Sequence, residues 1–147
     1  RTDTPSLSFL MHLFDIEAEI VTIRTMIYVQ YLLQIIAALG IFNVWLLRYG
    51  QDTEYRGGKA SNMSEEFVVY GLPTVAVYII GFLKIVSAIG LLAGIFLQSF
   101  VIPSAILLAA LMIGAFGMHL KIKDPFKKSI PGLIMLALCV AILLLAT

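Results

Sequence analysis

Of the polar side chains within the long apolar runs, three could do chemistry or bind: Lys84, Gln34 and Asn43. A lone ammonium at membrane depth costs at least ~2.5–3.5 kcal/mol on insertion scales, so Lys84 requires a polar partner, water or a ligand. Gln34 and Lys84 fall at similar heights when their segments are laid side by side as helices, so a Gln34 carbonyl can accept from Lys84. Interhelical hydrogen bonding is the expected role of Gln34 and Asn43. For Lys84 the first expectation is structural, with the amine snorkelling or donating inside the bundle. The second is a polar pocket that takes a quinone, a pigment or a lipid head group. Amine catalysis comes third.

A second constellation lies outside the apolar runs. Arg48, Arg56, Glu65 and Glu66 belong to one polar connection, and His119, Lys121 and Asp124 to another. Both connections lie at the same membrane surface if the runs alternate in direction. Such residues form an interfacial network that fixes loops, and the lysines attract anionic lipid. No acid falls within an apolar run, so Lys84 meets a carboxylate only if Glu65 or Glu66 folds inward. His119 is a candidate haem or chlorophyll ligand, since a neutral imidazole can ligate either. There is no second histidine in the runs for a bis-histidine haem, no Cys/His pattern for zinc and no Gly-rich phosphate loop. The single cysteine, Cys139, sits in an apolar run and reads as buried and inert. No residue is assigned a catalytic role, and no metal is expected beyond the His119 option.

The elements that carry these residues follow from hydropathy. Apolar residues make up 61% of the 147, and mean hydropathy is +1.00. No soluble fold of this length hides so much apolar surface, so the bilayer is the solvent for most of it. A formal net charge of +1, with no basic stripe interleaved with aromatics, excludes nucleic-acid binding. The fold class is all-α. Four transmembrane helices are expected at about 26–48, 74–97, 100–120 and 130–146. Helices two and three form a hairpin around Gln98 and Ser99, and Asp124-Pro125 ends helix three. In the long first connection, Gly57-Gly58 marks a turn. Asn62 with Glu65 predicts the cap of a short helix over 63–71, after which Pro73 opens helix two.

Residues 1–25 form a separate arm ahead of the 26–147 bundle. Asp15, Glu17, Glu19 and Arg24 among apolar residues predict an amphipathic surface helix or a partner-contacting segment. The arm lacks the basic start and uncharged core of a signal peptide. It reads as an extension ahead of Met26, of the kind left when a targeting peptide is removed. The long connections carry Arg48, Arg56, Lys59, Lys121, Lys123, Lys127 and Lys128, against Arg1 and Arg24 on the other side. That bias puts the connections on the cytoplasmic-equivalent side and both termini opposite. A bacterial inner membrane, a plastid and a mitochondrion fit equally. Small residues must supply the helix contacts, because burial alone does not drive helices together in lipid. Gly81, Gly90 and Gly94 are the candidates on helix two, and Gly114 and Gly117 on helix three.

YGLP at 70–73, IIGFLKIVSAIGLLAGI at 79–95 and MIGAFGMHLKIKDPFKKSIPGLIML at 112–136 resemble the DoxX-like membrane protein family. The resemblance covers about 26–146 and leaves the arm outside. It implies a four-helix bundle without a strong catalytic signature. Relatives are associated with membrane redox assemblies, including thiosulfate-to-quinone electron transfer, and with scaffold or chaperone-like roles. Many carry an acid where this chain has Lys84, and no catalytic residue transfers. The expected function is an accessory subunit of a respiratory or photosynthetic membrane complex, with lipid and other integral subunits as partners. The alternatives are a quinone-linked redox subunit of the thiosulfate:quinone oxidoreductase type, and a small transporter or lipid-handling protein. Lipid, quinone and chlorophyll are the candidate bound molecules.

Overall fold

The computed structural model describes residues 6–147. The first five residues of the expected arm, Arg1 among them, lie outside the described residues. The described chain is a four-helix membrane bundle with one short helix in its first connection. The order is α1 (Leu7–Phe42), α2 (Met63–Val69), α3 (Thr74–Ala93), α4 (Val101–Lys121) and α5 (Phe126–Ala146). Four of these segments are long and apolar enough to cross a bilayer.

Local chemistry sets the boundaries. Asn62 caps α2 by accepting from the Glu65 N–H at 2.9 Å, and Glu65 reaches back to the Ser61 N–H at 2.8 Å. Pro73 stands at the N-cap of α3. The α3–α4 hairpin is a little longer than expected, because α3 ends at Ala93 and a 3-10 turn over Gln98–Phe100 leads into α4. Pro125 caps α5, which starts at Phe126 and carries Pro131 in its second turn.

The arm is helical, as expected, and runs without interruption into the first span. At 1.5 Å per residue the 36 residues of α1 measure about 54 Å, well beyond the ~30 Å hydrocarbon core. Every residue from Leu7 to Val29 is exposed, and burial begins at Gln30. The helix closes on a π-helical turn, Asn43–Leu47.

The spans form a ring in which α1 packs on α3 and α5, and α4 packs on the same two. Near the α3–α4 hairpin the interior is tightly packed: Ala38, Leu91, Ala105, Leu108, Cys139 and Ile142 are all fully buried. An added Cβ at Gly90 would meet Ser104 Oγ, and one at Gly94 would lie 2.5 Å from Val101. These two glycines let α4 approach α3. Gly81 seats the Trp45 ring of α1, 2.6 Å from where its Cβ would be. Gly114 and Gly117 differ from expectation. A Cβ at either meets nothing within 4 Å, so neither forms a close contact inside the bundle.

Candidate functional site: a cavity beneath a buried polar network

The opposite end of the ring, under α2, is built differently. The π-helical turn swings Trp45 inward, where its ring meets Phe67 of α2 edge-on at 6.2 Å. Phe67 in turn tilts against Tyr70. Asn62 fixes the phase of α2, so Glu65 points outward to Ser61 while Glu66, about 100° further round, points inward.

Glu66 neutralises a buried guanidinium. Its Oε2 accepts from Arg56 at 3.0 Å, and its Oε1 accepts from the Gly57 N–H and the Tyr70 hydroxyl, both at 2.8 Å. Arg56 also donates to the carbonyls of Arg48, Tyr49 and Gln51. One arginine thus ties the end of α1 to the whole loop that follows. Tyr70 passes the network to α4, its hydroxyl lying 3.2 Å from His119 Nε2. His119 Nδ1 lies 2.7 Å from Asp124 Oδ2. With Tyr70 donating to Glu66, its hydroxyl oxygen is left to accept from His119.

Asp124 closes the ring of contacts by accepting from the Gly58 N–H at 3.0 Å. Gly58 holds φ at +57°, a conformation that favours glycine. Burial works against the charge on Asp124. The His119 and Gly58 hydrogen bonds and the nearby Lys128 outweigh that, and hold its carboxyl below the usual value. Burial pushes the Tyr70 phenol up, and the adjoining Glu66 carboxylate reinforces it, so Tyr70 stays a neutral donor. Lys121 donates to the Tyr70 carbonyl at 2.9 Å, and Lys128 to the Gly58 carbonyl.

Of the expected surface cluster, Arg56, Glu66, His119 and Asp124 thus converge, with Lys121 at the rim. Glu65 stays outside as a helix cap. Arg48 contributes only its carbonyl, and its side chain is exposed. Both His119 nitrogens face protein partners, which leaves neither free for a haem or chlorophyll. Tyr70, the hub, and Trp45 were not singled out as polar-site residues. Both are aromatics at the ends of apolar runs, where an interfacial anchor is the ordinary reading.

Beneath this network is a cavity of about 550 Å³. Lys84 reaches it from α3, its ammonium 5.1 Å from the centre of the Trp45 ring. The hydrogen bond between Gln34 and Lys84 does not form. Side chains on a helix lean toward its N-terminus, and α1 and α3 run in opposite directions. Lys84 therefore leans toward the loops, and Gln34 toward the hairpin. Gln34 is fully buried with neither amide atom partnered, whereas Gln30, one turn away, donates to Gln98 at 3.3 Å. Asn43 makes no side-chain hydrogen bond among the described residues. It opens the π-helical turn and lines the cavity. Gly114 lines it too.

The sequence model of the DoxX-like family matches residues 58–142, which is 85 of the 147 and more than half. The chain belongs to the DoxX-like family. The match takes in α2, α3, α4 and most of α5, and with them Glu66, Tyr70, His119 and Asp124 of the polar network; Arg56 and Gly57 lie just before it. The α1 helix, with Trp45 and the long arm, lies outside the matched residues of this DoxX-like protein. No curated protein matches the chain, and no solved structure does.

Proposed function

We propose that this DoxX-like protein is an accessory subunit of a larger electron-transfer complex in its membrane, docked through the arm of α1. The observation that carries this is the exposed helix from Leu7 to Val29, about 35 Å long at 1.5 Å per residue. Its apolar residues fall on two sides. At ~100° per residue Phe9, Ile16 and Ile20 share one side, and Leu10, Phe14 and Val21 another. His12, Asp15 and Glu19 separate them along one edge, and Glu17 and Arg24 along the other. A helix that rests on a membrane surface needs one apolar side. Two suit a helix held between a partner and lipid, or between two partner elements. The basic residues of the long connections support a topology with those connections on the cytoplasmic-equivalent side and the termini opposite.

The test is extraction of the full chain from its native membrane in mild detergent, followed by native mass measurement and an absorption spectrum. A stoichiometric assembly with other integral subunits is expected. A homogeneous assembly of this polypeptide alone would overturn the proposal.

A further inference from the structure

We propose that the cavity under α2 binds an acyl amphiphile with an anionic head, and that Lys84 is the head-group donor. This goes beyond docking through α1 and does not depend on it. The cavity, at about 550 Å³, lies within the ~300–1,000 Å³ typical of small-molecule sites. Its wall is mainly apolar, with Ile41 and Val44 from α1, Met112 from α4, and Ile134 and Met135 from α5. Val44, Gly114 and Ile134 are exposed as well as lining, so the wall opens toward the acyl chains of the bilayer.

The charges that line the cavity divide into those already matched and those that are not. Arg56 and Glu66 neutralise each other. Lys128 is taken up by the Gly58 carbonyl and by Asp124 at 3.7 Å, and both His119 nitrogens face Asp124 or Tyr70. Two cations are left. Lys84 is only 9% exposed and makes no hydrogen bond or ion pair among the described residues; its ammonium lies over the face of Trp45, and the Glu66 carboxylate, already held by Arg56, favours its charge only from a distance. Arg48 lines the same cavity, and its guanidinium has no ion pair among the described residues. A buried ammonium without an acceptor, at the wall of an apolar space, selects a ligand that brings the acceptor and the negative charge. A carboxylate and a phosphodiester each do so, and an acyl chain fills the remainder.

Trp45 is the only tryptophan in the chain and lies at the site, so it reports occupancy. The full chain is placed in phosphatidylcholine nanodiscs and titrated at neutral pH with dibromostearate, with its methyl ester, and with brominated phosphatidylglycerol. Saturable quenching by the acid or by the phosphatidylglycerol, and not by the ester, is expected. Whichever of the two quenches identifies the source of the head group. Lys84→Met should weaken that quenching at least about tenfold, as loss of a charge-assisted hydrogen bond implies. Lys84→Arg should retain it. Gly114→Leu, whose side chain meets no protein atom near its Cβ, should reduce it while leaving the helix content unchanged. Saturable quenching by the ester as strong as that by the anionic probes would overturn the proposal, as would an absence of saturation with both anionic probes. If Lys84→Met does not fold, the comparison of the two anionic probes with the ester on the unaltered chain decides alone.

Discussion

Glu66 and its neighbour Glu65 show how much a single step along a helix decides. Glu66 is buried against Arg56, and Glu65 is an exposed cap. Breaking a buried ion pair by removing one partner costs about 3–5 kcal/mol, because the other charge is left unmatched. Glu66→Ala should therefore lower stability by about that much in SDS-induced unfolding followed by Trp45 fluorescence, and Glu65→Ala far less. The sequence shows that one of the two acids can turn inward. Which one does so depends on the phase of α2, and the Asn62 cap sets that phase only once the helix has formed. Asp124 brings a pH dependence of known sign. Its folded-state carboxyl lies below the ordinary 3.8. Its contribution is thus complete above that value, and is lost as pH falls through the lower folded value. The same unfolding measurement on Asp124→Asn should show a shallower loss of stability on acidification below about pH 4.

Glycine separates contacts from free space among the helices. The Cβ of Gly81→Ala would lie 2.6 Å from the Trp45 ring, and overpacking of that kind costs about 1–3 kcal/mol. Gly114→Ala meets nothing, and should be neutral or stabilising by up to ~1 kcal/mol through helix propensity. Thermal melts of the two variants in one detergent should show a lowered melting temperature for Gly81→Ala and an unchanged or raised one for Gly114→Ala. The four spans were legible because run length and hydropathy alone define them in lipid. The difference between Gly90, which packs on Ser104, and Gly114, which lines a cavity, was not, because both read as small residues in apolar runs. The continuity of α1 was hidden in a similar way. The charges at Asp15, Glu17, Glu19 and Arg24 mark where a span should end, yet nothing in them breaks a helix. Hydropathy puts the start of the fourth span at about 130, whereas α5 begins at Phe126, because the helix takes in the polar Lys127, Lys128 and Ser129 that a hydropathy reading leaves out.

At the scale of the molecule the bundle has two unlike ends. The hairpin end is filled by small and branched side chains, while the α2 end keeps a cavity under a network of hydrogen bonds. Only the second end draws on both loops, and its contacts join residues as far apart in sequence as Arg56 and Asp124. The α1 arm belongs to neither end. A helix of this length, apolar on two sides and exposed from Leu7 to Val29, is the surface on which the proposed docking rests. Docking through it is tested most directly by co-purification of the unaltered chain and of the Phe14→Asp, Ile20→Asp double variant from the native membrane. The unaltered chain should carry integral partner subunits in fixed ratio. The double variant should lose most of them while its bundle keeps the same melting temperature. An equal yield of partners from both chains, or none from either, would contradict docking through α1.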